Sequence, residues 1–361
     1  MKLKHDVRAI AGHFEIPGAF LHAEPCGNGH INDSYRATYR QDGAEVRYVI
    51  QRINHHVFQD PVAVMENIQR VTAHLHQKLA TETDSARQTL TVIPARDGRP
   101  CYPDADGNYW RTYIFIERTR TYEAIENPAQ AYEVARAFGR FQQLLTDLPA
   151  PPLHETIPDF HHTPKRFADM EKAIVADAVN RARSAKAEIE FALRRRPITG
   201  LLLNANLPVR IIHNDSKLDN VLLDAATGQG LCVIDLDTVM PGLAPYDFGD
   251  QVRSVTSLTR EDERDLSKVR LHLPVFEALA RGYLSAASVF LTPAEKQHLV
   301  LAGKLITFEI GVRFLADYLA GDTYFKVHRE GHNLDRCRTQ FKLVGSIEER
   351  EESMSNLVAG L

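Results

Sequence analysis

Val209-Arg210-Ile211-Ile212-His213-Asn214-Asp215-Ser216-Lys217-Leu218-Asp219-Asn220-Val221-Leu222-Leu223-Asp224 is the stretch that decides how this chain is read. The apolar run Val209 to Ile212 predicts a strand that delivers His213-x-Asp215 at its end, and Asn220 follows Asp215 after four intervening residues. His-x-Asp-x-x-x-x-Asn is the spacing of a phosphoryl-transfer catalytic loop, here with Asn214 in place of the usual arginine. The chemistry accounts for the spacing. An aspartate such as Asp215 accepts a proton from the acceptor hydroxyl, while Asn220 supplies an oxygen ligand to a phosphate-bound Mg²⁺. Lys217, two residues past the base, can aim a cation at the migrating phosphoryl group. Taken alone, His-x-Asp in a polar loop is as readily an Asx-turn or a helix cap.

The residues that follow weaken that bland reading. After Val221-Leu222-Leu223 comes a turn, Ala226-Thr227-Gly228-Gln229-Gly230, then a second apolar run ending in Asp235-Leu236-Asp237. A hairpin of this length returns the chain to its start and is expected to set Asp235 beside Asn220. Two oxygen ligands of this kind suit Mg²⁺, which keeps several waters and bridges nucleotide phosphates. Asp237 is the weaker metal candidate, and both acids could instead cap a turn. A literal Asp247-Phe248-Gly249 lies past Pro241-Gly242 and Pro245 with no strand leading into it. It reads as a helix start, with Asp247 a structural carboxylate that accepts backbone N–H bonds from the catalytic loop.

Outward from this core the chain divides. A short helix over 7–14 precedes strands at Ser34–Tyr39 and Glu45–Ile53, and Val64, Ile68, Val71 and Leu75 predict a helix from Pro61 to Leu79. Two further strands fall near Leu90–Pro94 and Tyr109–Ile116. Beyond Glu117 the pattern is helical: Ala129–Leu145, one long stretch from Arg166 to Arg194, and 298–320 closed by Gly321. A strand pair occupies 208–237. The expectation is an α+β, protein-kinase-like, two-lobed fold, with a small β-rich lobe over 1–116 and a larger, mainly helical lobe over 117–361.

These motifs resemble the aminoglycoside phosphotransferase and choline kinase superfamily of small-molecule kinases. Within it, Gly27-Asn28-Gly29-His30-Ile31-Asn32, the catalytic loop, Ile234-Asp235-Leu236-Asp237-Thr238-Val239-Met240-Pro241-Gly242 and Arg313-Phe314-Leu315-Ala316-Asp317-Tyr318-Leu319 are similar to bacterial kinases of N-acetylhexosamines. The similarity runs over nearly the whole chain. It implies ATP and Mg²⁺ as cofactors and transfer to the anomeric C1 hydroxyl of N-acetylglucosamine or N-acetylgalactosamine. It also implies Arg313 at the transferred phosphate or the sugar, with Tyr324 and His30 bounding the sugar pocket. For Arg313 the bland alternative is an i,i+4 pair with Asp317.

On the nucleotide side, Gly27-x-Gly29 could cover phosphates through backbone N–H groups, although a lone G-x-G is more often a turn. Phe115, Ile116 and Glu117 resemble the hinge between kinase lobes, whose backbone bonds adenine. The strand Tyr48–Ile53 offers Gln51, not lysine, where the phosphate-binding cation belongs, with Arg52 on the opposite face. His161-His162 and His55-His56 are read as solvated pairs.

Composition excludes other classes. A net charge of -4 gives no nucleic-acid footprint. Four dispersed cysteines and sixteen histidines show no zinc spacing. The absence of a long apolar stretch and a charged beginning point to a cytoplasmic protein with no membrane partner. The partners expected are a small-molecule sugar and a nucleotide. Two readings compete: a kinase of this fold acting on choline or an aminoglycoside, and an inactive sugar- or nucleotide-binding regulator. Intact Asp215, Asn220 and Asp235 weigh against the regulator.

Overall fold

A computed structural model describes residues 4–27 and 31–361 of the chain. The chain divides into two compact units. One holds the residues up to Thr119 with Leu148–Ile157 and Ile234–Val239, and the other holds Arg120–Asp147, Pro158–Val233 and Met240–Leu361.

In the first unit, α1 (Val7–Ala11) leads into the antiparallel strands β1 (Ala19–Pro25), β2 (Asp33–Gln41) and β3 (Ala44–Ile53), followed by α2 (Pro61–Leu79). Short strands β4 (Val92–Ile93) and β5 (Tyr102–Pro103) precede β6 (Tyr109–Ile114), and the sheet runs β1-β2-β3-β6-β4 with β5 also on β6. Asp42 and Gly43 both have positive φ, 48° and 84°, which closes the β2–β3 hairpin with the local twist that antiparallel strands need. α2 starts where Asp60 accepts the N–H groups of Val62 and Ala63, with Pro61 in its first turn. Its expected apolar stripe, Val64, Ile68, Val71 and Leu75, is buried. β1 escaped the sequence reading because it is the sheet's edge and none of its residues is fully buried, so no alternation marks it. A core of Val7, Phe14, Tyr35, Tyr48, Ile50 and Trp110 lies under the sheet.

The second unit begins near β7 (Thr119–Arg120) and contains α3 (Pro128–Leu144), α4 (Thr163–Ala176), α5 (Lys186–Arg194) and the strands β8 (Val209–Ile212), β9 (Val221–Asp224), β10 (Gly230–Val233) and β11 (Met240–Leu243). Helices α6 (Ala244–Val255), α7 (Leu273–Ala287), α8 (Pro293–Gln297), α9 (Leu299–Ala320), α10 (His332–Glu348) and α11 (Glu351–Ala359) complete it. The single helix expected over 166–194 is two helices. Asp177 ends the first in a left-handed conformation, φ 35°, and its carboxylate accepts Arg181 and Ala182 N–H. That turn outcompetes continued helix. The strand pair expected over 208–237 is likewise two ladders, β9 with β10 and β8 with β11, in which Ile212 pairs with Met240 and Val209 with Leu243.

α9 is buried nearly all round because α4, α6 and α10 pack on different faces of it. Gly249 permits the α6 approach: a Cβ there would lie 2.5 Å from the Ala302 carbonyl oxygen. The glycine of Asp247-Phe248-Gly249 is thus a packing residue inside a helix.

Candidate active site

β8 ends at Ile212, and His213 to Asn220 form the loop that reverses into β9. Asn214 has φ 65°, a left-handed conformation that asparagine adopts far more readily than most residues, which gives a backbone reason for its presence where an arginine was expected. The Asp215 side chain is 30% exposed, and Lys217 Nζ lies 3.2 Å from its Oδ2. Burial pushes the Asp215 carboxyl up, but Lys217, His213 and Arg253 outweigh it and bring the group down to about 2. The Asn220 amide donates from Nδ2 to the Asp215 carbonyl at 2.8 Å and to its Oδ2 at 3.0 Å. With the amide nitrogen so committed, Oδ1 accepts no hydrogen bond among the described residues and is the atom able to ligate a cation.

Asp247 holds the loop from below. Its two carboxylate oxygens accept the N–H groups of His213 at 2.8 Å and Asn214 at 2.7 Å, and Ser216 Oγ donates to its carbonyl. Gln142 Nε2 donates to the same carboxylate at 2.7 Å, while the Tyr283 hydroxyl donates to Gln142 Oε1 at 2.6 Å. Burial drives the Asp247 carboxyl upward against these bonds. Asp247 is therefore the loop-supporting carboxylate that its position at a helix start suggested.

Arg313 does not pair with Asp317. Asp317 instead accepts the N–H groups of Thr323, Tyr324 and Phe325 and the Asn333 amide, which ties down the segment after Gly321, whose φ is 95°. The Arg313 guanidinium lies over three rings, 5.0 Å from Phe160, 5.9 Å from Tyr324 and 5.8 Å from Phe325, and makes no hydrogen bond or direct ion pair among the described residues, although its charge lowers the Glu309 carboxyl. Arg166 is close enough to feel it: burial first, then Arg313, lowers the Arg166 pKa. Tyr324 is 43% exposed.

His161 is a correction. It is buried, not solvated, with Nδ1 2.8 Å from Glu309 Oε1 and Nε2 2.8 Å from the Asn214 carbonyl oxygen. Its neighbour His162 caps α4 through Lys165 N–H. His56 is exposed, whereas His55 is half-buried.

In the first unit, Asp235 has φ 61° and precedes a single 3₁₀ turn, Leu236–Thr238. Asp237 is taken up by other residues: the two terminal guanidinium nitrogens of the buried Arg111 donate to it, and Asn32 Nδ2 donates to Oδ2 at 2.6 Å. It leaves the list of metal candidates. Arg111 sits opposite Gln51 in the β3–β6 register, and its Nε donates to Gln51 Oε1 at 3.0 Å. Arg52 faces away and pairs with Asp33 at 2.6 Å.

At the hinge-like segment, Phe115 N–H donates to the Arg47 carbonyl, and the Ile116 and Glu117 carbonyls accept from Thr119 Oγ1 and Arg87 Nε. Glu117 also pairs with Arg47. The Phe115 carbonyl and the Ile116 and Glu117 N–H groups bond to nothing among the described residues. Gly27 has φ 77° with open space where a Cβ would be, and Gly29 and His30 lie outside the described residues. All four cysteines are free, Cys26 half-buried and the others buried.

Residues 22–284, more than half of the chain, match the family model of the phosphotransferase enzyme family, APH. The chain belongs to the phosphotransferase enzyme family. Its fold is that of small-molecule kinases, with solved structures similar over almost their full length. A microcompartment-associated aminopropanol kinase superposes with TM-score 0.65 at 19% identity, covering 97% of this chain and 98% of that one. An aminoglycoside phosphotransferase from Alicyclobacillus acidocaldarius gives 0.64 at 13%, covering 100% and 98%. A spectinomycin phosphotransferase solved with ADP and spectinomycin gives 0.54 at 13%, covering 96% and 97%.

Several of the residues described above carry no local signal. Arg111 looks like any strand arginine until its partner Asp237, distant in sequence, is in place. Phe160, Arg166 and Phe325 belong to no motif.

Proposed function

We propose that this phosphotransferase uses ATP and Mg²⁺ to phosphorylate the anomeric C1 hydroxyl of N-acetylhexosamines, with Asp215 as the general base. The observation that carries the reading is the Arg313 guanidinium lying over Phe160, Tyr324 and Phe325 beside Arg166, with Glu309 near enough to feel its charge but in no direct ion pair with it among the described residues. A choline-type acceptor needs aromatic faces free for its own cation, and an aminoglycoside needs clustered carboxylates. A protein cation already on those faces favours a neutral acceptor rich in hydroxyl and carbonyl oxygens. The motif resemblance to N-acetylhexosamine kinases supports the same choice.

The Mg²⁺ ligands in this reading are Asn220, whose Oδ1 is uncommitted, and Asp235. A bound Mg²⁺ supplies charge neutralisation at the phosphates. Among the described residues no three His, Cys, Asp or Glu side chains gather into a metal cluster. Lys217 steadies the base and faces the migrating phosphoryl group. Phe115 to Glu117, with the Phe115 carbonyl and Glu117 N–H uncommitted, serve adenine, and the Gly27–Gly29 loop serves the phosphates. His30 and Tyr324 border the sugar. No helix among the described residues is long and apolar enough to cross a membrane.

The test is a panel of N-acetylglucosamine, N-acetylgalactosamine, their 1-deoxy analogues, choline, aminopropanol and spectinomycin with ATP, followed by ADP release and ³¹P NMR of the product. Both sugars should yield the 1-phosphate, and the 1-deoxy analogues should bind without reacting. A 6-phosphate, or turnover confined to the amines, overturns the reading.

A further inference from the structure

His161 is buried between two groups that accept hydrogen bonds. Glu309 Oε1 lies 2.8 Å from Nδ1, and the Asn214 carbonyl oxygen lies 2.8 Å from Nε2. A carbonyl can only accept, so Nε2 must carry a proton. Glu309 Oε2 takes the Thr163 hydroxyl at 2.5 Å. If Glu309 is ionised, Nδ1 must carry a proton too, and the ring is an imidazolium.

The groups around the ring favour that state. α9 contributes Glu309 and Arg313, α4 contributes Thr163 and Arg166, and the Tyr246 ring of α6 lies 5.2 Å away. Burial and Arg313 work against a charge on His161, but Glu309 and the Asn214 carbonyl outweigh them, so its pKa lies above the ordinary 6.5. Burial likewise opposes the Glu309 charge, and His161 and Arg313 outweigh it, so that carboxyl sits below its ordinary value. Burial holds the Tyr246 hydroxyl high and neutral.

The clamped carbonyl is the one immediately before Asp215. Three consecutive backbone groups here have assigned partners: Asn214 N–H on Asp247, the Asn214 carbonyl on His161, and Asp215 N–H on His213 Nδ1 at 3.2 Å. We infer that His161 is a positioning residue, held as an imidazolium by Glu309, whose charge-assisted bond to the Asn214 carbonyl fixes the left-handed turn that aims Asp215. The adjacent Phe160 carries the Arg313 guanidinium on its ring, and its carbonyl accepts Arg166 Nε at 3.2 Å. The clamp is therefore one residue from the cationic cluster. Its catalytic consequence rests on Asp215 being the base, but its protonation state does not.

The sign of the pH effect follows from the raised pKa. The ring charge is present below the folded-state value and is lost as pH rises through it; Nε2–H then still meets the Asn214 carbonyl but without charge assistance, so kcat should fall on the alkaline side.

The experiment has two arms. In the first, the full chain is labelled with ¹⁵N-histidine, and His161 is assigned by the signal missing from His161→Gln. At pH 6.5, the ordinary histidine value, most of the His161 ring should still carry protons on both nitrogens. A His161 ring that is mostly singly protonated at that pH overturns the inference without reference to activity. In the second, His161→Gln and Glu309→Gln should each lose about 10- to 100-fold in kcat, the scale of a misplaced catalytic group, while KM for ATP moves less than about threefold. The alkaline limb should disappear in His161→Gln. An unchanged kcat and pH profile in a folded variant would overturn the clamp. Asp215→Asn run alongside tests the base independently, so failure of that assignment is told apart from failure of the clamp.

Discussion

In the proposed reaction Asp215 is a weak base, and its surroundings say why. Lys217, His213 and Arg253 more than offset burial and set the carboxyl near 2, so it stays ionised throughout the neutral range. A weak base suffices where bond formation to the phosphoryl group is loose and the acceptor hydroxyl is acidic, as an anomeric hydroxyl is. Asp215→Asn should lower kcat by about 10²- to 10⁴-fold with nucleotide binding retained, read by steady-state kinetics and ADP titration. Because the folded carboxyl titrates near 2, wild-type kcat should show no acid limb from this group between about pH 5 and 8. Lys217→Ala removes the largest opposing charge, so any acid limb should move upward in pH. An unshifted profile would mean that Lys217 does not set the acidity of the base. At Arg313, a planar guanidinium over three rings cannot be matched by an ammonium. Arg313→Lys should lose at least about tenfold in kcat/KM with Tm nearly unchanged. Full activity in that variant would remove Arg313 from the acceptor site.

At the scale of elements, the segment Ile234–Val239 belongs to the sheet-bearing unit, and the bond network shows what holds it there. Arg111 of β6 grips Asp237, Asn32 adds a second donor, Thr156 Oγ1 donates to the Asp237 carbonyl at 2.7 Å, and Asn67 Nδ2 donates to the Val239 carbonyl at 3.2 Å. Asp235 lies two residues before Asp237, in a left-handed conformation that its neighbours must hold. Both Arg111 and Asp237 are buried, so removing one partner strands the other as an uncompensated charge, at a cost of about 3–5 kcal/mol. Asp237→Ala should therefore lower Tm substantially. Arg111→Met combined with Asp237→Leu should recover most of the loss, since it leaves no buried charge. Calorimetry of the two singles and the double decides this, and additive losses would show that the pair is not a coupled unit.

For the whole molecule, the buried and half-buried carboxylates set the response to acid. Glu309, Glu295, Asp33 and Asp262 all titrate below their ordinary values: each is pushed up by burial but pulled down further by His161, Arg210, Arg52 and His332 respectively. A carboxyl with a depressed folded pKa stabilises the fold above its unfolded pKa, and that stabilisation is lost as pH falls through the folded value. Tm should hold near neutral pH and fall progressively once pH drops below about 4.5, the ordinary value for a glutamate. Asp247 works in the opposite direction, since burial raises its pKa and its protonation eases on acidification. A Tm that rises steadily from pH 6 to pH 3 would show that groups like Asp247 dominate.

What could be read directly was local. The His213-x-Asp215 loop with Asn220, the apolar stripe of α2, the Gly321 stop of α9 and the structural place of Asp247 each depend on residues within a turn or a strand of one another. Chain periodicity and turn chemistry act over that range. The tertiary structure decided the rest. Arg111 meets Asp237 across 126 positions and His161 meets Glu309 across 148, and in each case a polar side chain is buried only because another element brings its counter-charge. Nothing adjacent in sequence distinguishes such a residue from one in solvent, which is why His161 read as solvated. The break at Asp177 and the pairing of β8 with β11 turned on backbone conformation and on a partner strand from beyond the hairpin. The chain alone thus pointed to the atoms proposed to carry phosphoryl transfer. Only the packed fold determined which charges hold them in place, because the energy of a buried charge belongs to its surroundings and not to its neighbours along the chain.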